Sequence, residues 1–104
     1  MSVYGDWKAA TISAGATKSA AVDLGRDYDY LEIQMPTMAA CKLYLQVAET
    51  MGGTYYDLGK NVTTDEENFG RADIWKLGGH QFIKVAATKK QTSAVAIRVR
   101  GMRY

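Results

Sequence analysis

One cysteine, one proline and one histidine in 104 residues remove several chemistries before any pattern is considered. Cys41 has no second cysteine to pair with, and its place in the alternating run Cys41-Lys42-Leu43-Tyr44-Leu45-Gln46-Val47 makes it a buried thiol rather than a nucleophile. His80, beside Gly78 and Gly79, reads as a solvated turn residue and not as a general base. A His80–Cys41 dyad would also lack a third residue to orient it. No apolar run approaches the roughly 20 residues needed to cross a bilayer. Nor does a basic start, apolar core and small-residue cleavage site open the chain, so the expectation is a soluble, unprocessed product of the cytosol. The glycines never precede Lys-Ser or Lys-Thr in a phosphate-cradling run. The carboxylates of Asp65-Glu66-Glu67 lack the spacing and central glycine of a calcium loop and read as a solvated loop. No catalytic residue, cofactor or metal ligand is expected, and enzyme chemistry is the weakest functional class.

Helix-length amphipathic stretches are also missing, and what is present has a period of two. Cys41, Leu43, Leu45 and Val47 share one face, as do Leu31, Ile33 and Met35 ahead of the lone Pro36, and Val95, Ile97 and Val99 near the end. Glycines punctuate these runs: Gly52-Gly53 predicts a tight hairpin into Thr54-Tyr55-Tyr56, and Gly78-Gly79-His80 predicts a turn between Phe69–Leu77 and Gln81–Ala87. Gly25 is expected to close a strand over Ala20–Leu24, and Gly59-Lys60-Asn61 to make a further turn. Pro36 should end its strand, because it has no N–H for a ladder. The pattern predicts an all-β fold, an antiparallel β-sandwich of jelly-roll type built from about eight short strands. One domain is expected over 1–104, with residues 1–6 a flexible or interface arm.

Acidic side chains are absent from residues 74–104, which carry seven basic ones, whereas residues 1–73 carry six basic and eleven acidic. That imbalance would suit head-to-tail packing of copies or a basic surface, provided the segments do not interleave in space. Lys84, Lys89, Lys90, Arg98, Arg100 and Arg103, with Tyr44, Tyr55 or Tyr56 nearby, would form a nucleic-acid surface if they shared one face. Alternating arginines on a strand also serve as a soluble outer face, and this plainer role is favoured. Aromatic and arginine side chains suit protein interfaces equally well. The candidate contact residues are Tyr4, Trp7, Lys89, Lys90, Arg98 and Arg100.

Several segments resemble small β-rich virion proteins encoded among tailed-bacteriophage structural genes. They are Ala14 to Gly25 with its Ala21-Val22-Asp23-Leu24-Gly25 element, Leu31-Glu32-Ile33-Gln34-Met35-Pro36, Leu43 to Leu58 with Gly52-Gly53-Thr54-Tyr55, Gln81-Phe82-Ile83-Lys84-Val85, and Ala94 to Val99. The Ala48-Glu49-Thr50-Met51 turn and the Lys89-Lys90-Gln91 loop depart from the pattern. The resemblance implies a non-enzymatic capsid decoration or cement protein. Its partners would be the major capsid protein and further copies of itself, in a ring such as a trimer, with no membrane. It would be located in the virion after synthesis in the bacterial cytoplasm. Two alternatives stand beside it: a carbohydrate-binding module of a tail fibre or baseplate, and a neck or tail protein touching DNA.

Overall fold

A computed structural model describes residues 3–36, 42–58 and 71–103. Seven strands run through them, with no helix: β1 (Val3–Tyr4), β2 (Lys8–Ile12), β3 (Val22–Met35), β4 (Leu43–Ala48), β5 (Tyr56–Asp57), β6 (Arg71–Ala87) and β7 (Val95–Arg103). The order is β1-β7-β3-β6-β4-β5, with β2 also on β7, and every pairing is antiparallel. The all-β antiparallel sandwich expected from the period-two pattern is what forms.

β3 and β6 each run through both layers. In one layer, Tyr30–Gln34 of β3 lie between β7 and the first half of β6, with β1 and β2 on the far edge of β7. In the other, the second half of β6 pairs with β4 on one side and with Lys18, Val22 and Asp23 on the other, and β5 lies outside β4. The alternating apolar side chains meet between the layers in one cluster that includes Leu31, Ile33, Leu43, Leu45, Val47, Ile83, Val85, Val95, Ile97 and Val99. Removing these side chains from water is the main driving force for the fold, at about 1.5–3 kcal/mol for each fully buried one.

Two expected turns are not turns. Gly25 does not close a strand and Gly78-Gly79 do not connect two; the chain continues in β3 and β6. These glycines take φ of 92°, 69° and 88°, a region that other residues rarely enter, so they bend a strand without ending it. Among the described residues there are therefore seven strands, two of them long. The Gly52-Gly53 hairpin also differs: neither glycine has positive φ, the turn closes through Gly53 N–H to Thr50 O (3.1 Å), and pairing resumes only at Tyr56. Pro36 ends β3 as anticipated.

Residues 3–5 of the expected arm are tied to the sheet: Val3 and Tyr4 pair with Arg103 and Met102, and Gly5 N–H donates to Gly101 O at 2.8 Å. Of the 88–93 loop, Gln91 is buried, its carbonyl accepting from Gly15 N–H (2.7 Å) and its amide donating to Lys89 O (3.1 Å). Cys41, Gly59-Lys60-Asn61 and Asp65-Glu66-Glu67 lie outside the described residues.

Candidate contact face and polar mouth

β7 alternates by construction. Ile97 and Val99 face the core, so Arg98 and Arg100 face outward, and their register partners on β3 are Gln34 and Glu32. The arm brings two aromatic rings onto this face. Tyr4 lies opposite Met102 in register, and the chain then crosses back through Gly5 to Trp7. Close approach explains why glycine stands at 5 and at 101: a Cβ on Gly5 would fall 2.7 Å from the Tyr28 hydroxyl, and one on Gly101 2.1 Å from its ring. Tyr28, 6% exposed, is thus laid across both glycines and fixes the arm.

The outcome is a clasp around Arg100. One terminal nitrogen of its guanidinium donates to a Glu32 carboxylate oxygen, while the Trp7 and Tyr4 ring centres lie 4.7 and 5.1 Å from its central carbon. Nε of Arg100 is buried with no hydrogen-bond partner among the described residues. Desolvating that nitrogen is unfavourable; the carboxylate and the two ring faces offset it. Arg98 lies 5.9 Å from Trp7. An exposed sheet face anchored by aromatic and arginine side chains matches the composition of protein-contact hot spots.

The structure therefore brings together Tyr4, Trp7, Arg98 and Arg100, and it does not bring Lys89 and Lys90 to them. Both lysines are exposed in the connection before β7, and Arg100 is five residues beyond the strand's first residue, about 17 Å at 3.4 Å per residue. The remaining basic run is dispersed too. Lys84 caps the Tyr55 ring (4.6 Å) in the other layer, and Arg103 pairs with Asp29 at 3.8 Å. Acidic side chains from early in the chain thus interleave with late arginines, so the imbalance along the sequence does not become one basic stripe. Glu32, the clasp's carboxylate, gave no signal in the sequence beyond its outward position on β3.

A second feature is a cavity of about 550 Å³ at the end of β4, lined by Val47, Glu49, Thr50, Thr54, Tyr56 and His80. Tyr56 and Val47 are register partners, as are Val47 and Ile83, so Tyr56 is on the core-facing side of its sheet. On the outermost strand it remains 69% exposed. The bend at Gly78-Gly79 leads directly into His80, which lines the same cavity. On the outer face beside it, Gln81 amide (2.8 Å) and Gly25 N–H (2.8 Å) hold the Asp23 carboxyl below the usual carboxylate range. Burial, with a contribution from the Asp23 charge, raises the Tyr55 hydroxyl above the ordinary tyrosine value. Among the described residues no three of His, Cys, Asp and Glu stand close enough to hold a metal ion, and no helix is long and apolar enough to cross a membrane.

Fold and surface define an antiparallel β-sandwich with an aromatic–arginine face and a polar mouth. No family model matches the chain, and no curated protein matches it. Among solved structures it is similar to the SPBc2 prophage-derived protein YomS, at a TM-score of 0.66 and 7% identity, over 98% of this chain and 95% of that one. It is also similar to part of a family 89 glycoside hydrolase from Clostridium perfringens (TM-score 0.58, 18% identity), covering 89% of this chain and only 11% of the enzyme. A mutant of CBM29-2, from a study of family 29 carbohydrate-binding modules, matches at 0.54 and 8% identity over 94% and 92% of the two chains. At these identities the likeness is one of fold.

Proposed function

We propose that this chain is a non-enzymatic structural component of a tailed-phage virion, docking on the capsid as a decoration or cement protein. The observation that carries the reading is the end-to-end likeness to a prophage-derived protein, in which each chain accounts for nearly all of the other. The Tyr4–Trp7–Arg98–Arg100 face supports it as the docking surface, because Arg100 is already held by Glu32, Trp7 and Tyr4 and little side-chain freedom is lost on contact. Repeated copies on a symmetric shell would multiply a weak contact into a stable one. The test is co-sedimentation of the purified chain with empty shells of the phage that encodes it, together with the temperature at which those shells open. Binding that raises the opening temperature, and is lost in Trp7→Ala, is expected; wild-type protein that neither binds nor protects the shells refutes the reading.

A second reading, a carbohydrate-binding module on a fibre or baseplate, is favoured by the mouth with its exposed Tyr56 and by the whole-chain likeness to CBM29-2. Binding to a glycan array, lost on changing an exposed tyrosine, tests it.

A further inference from the structure

We propose that the mouth between β4, β5 and the bend of β6 is a subsite for one uncharged saccharide unit, with the Tyr56 ring as its platform; this rests on the carbohydrate-binding reading. Three independent observations converge there. The first is Tyr56 itself. Its register with the buried Val47 and Ile83 directs it to the core-facing side of the sheet, yet it stays 69% exposed on the cavity wall. A large amphipathic ring left open on a concave surface offers a flat apolar face to whatever enters.

The second is the backbone. β6 is bent by two successive left-handed glycines, Gly78 and Gly79, immediately before His80, and glycines inside a strand mark bulges or places where a ligand approaches the chain closely. His80, immediately after this bend, lines the same cavity as Thr50 and Gly53 of the turn.

The third is the chemistry of the lining. Glu49 contributes an acceptor pair, Thr50 and Thr54 hydroxyls that donate or accept, and His80 a ring nitrogen of each kind when neutral. Glu49 places a carboxylate in the lining, which disfavours a phosphate, sulfate or carboxylate there. An apolar ligand would leave four polar side chains to be desolvated without partners. A ligand with a C–H face and a rim of hydroxyls satisfies both walls, and a neutral hexose is such a ligand. The volume of about 550 Å³ falls inside the roughly 300–1,000 Å³ of small-ligand sites.

The experiment is an amide-resolved NMR titration of the full chain with glucose, galactose, fucose and N-acetylglucosamine, and with sialic acid and glucuronic acid as charged comparisons. Saturable shifts confined to residues 47–56 and 78–81 are expected with at least one neutral sugar. Tyr56→Ala should weaken binding about tenfold or more, with Trp7→Ala unchanged. Glu49→Gln, an exposed substitution, should also weaken it and guards against a folding defect in the first variant. Saturable shifts around Tyr4, Trp7, Arg98 and Arg100 instead would overturn this site while leaving the carbohydrate reading intact. Preference for the acidic sugars would overturn the uncharged class, and no saturable shift with any sugar, or on a glycan array, would overturn site and reading together.

Discussion

Replacing Gly101 with alanine would put a methyl carbon 2.1 Å from Cδ2 of Tyr28, with Cγ and Cε2 at 2.5 and 2.6 Å. Gly101 does not have positive φ, so what glycine supplies there is room and not a special backbone conformation. The ring has no easy retreat, since its hydroxyl end lies against Gly5, where a Cβ would fall 2.7 Å away. If the ring leaves, it forfeits the burial of an aromatic side chain, on the order of 4–6 kcal/mol for 150–250 Å². Staying is less costly, because overpacking strain runs at about 1–3 kcal/mol. Alanine regains roughly 0.5–1 kcal/mol of the strand interior's glycine penalty. The net expectation is a loss of about 1.2 kcal/mol, which at an m-value of about 1.5 kcal/mol/M lowers the urea midpoint by roughly 0.8 M. Made in a Tyr28→Leu background, the same substitution should be neutral or slightly stabilising, a coupling of about 1.2–2 kcal/mol. Equal costs in the two backgrounds, to within about 0.5 kcal/mol, would refute the claim that the ring dictates the glycine.

Other consequences are equally direct. Ser19→Ala removes the hydroxyl that accepts Val85 N–H at 3.0 Å in a buried position; a loss of about 1–3 kcal/mol is expected, with faster hydrogen exchange at Val85 as the specific sign. Glu32→Gln takes the carboxylate from Arg100 while leaving Trp7 and Tyr4 in place; shell binding should weaken by less than in Trp7→Ala, measured by co-sedimentation at low and high salt. Because Gln81 and Gly25 depress the Asp23 carboxyl, its ionised form stabilises the fold above the ordinary carboxylate range, and that contribution disappears as pH falls through the lowered folded-state value. An Asp23→Asn variant should therefore show a shallower acid limb in denaturation against pH.

Much of the sandwich was legible from period-two alternation, since burial of every second residue is a local property of a strand. Leu31, Ile33 and Met35, Leu43, Leu45 and Val47, and Val95, Ile97 and Val99 are all buried as that alternation requires. The continuity of β3 and β6 was not, because a glycine reads alike whether it ends a strand or bends one; only the partner strands on either side decide. The clasp was half visible. Trp7, Tyr4, Arg98 and Arg100 are conspicuous as residue types, but their meeting depends on a pairing between the two ends of the chain that no local signal encodes. Lys89 and Lys90 show the converse: near Arg100 in sequence, they are kept from it by the rise of the strand. The mouth was hidden for a different reason, since His80 and Tyr56 acquire their common cavity only through the glycine bend.

Two strands that belong to both layers give the molecule a mechanical property. In a sandwich of separate sheets, the layers are held by side-chain packing alone and can be peeled apart by a modest pull. Here β3 and β6 carry the covalent backbone from one layer into the other, so a tug on the Arg100 clasp reaches the rim around Tyr56 along continuous peptide. Opening the layers would have to straighten the bends at Gly25 and Gly78-Gly79 as well as expose the apolar cluster between them.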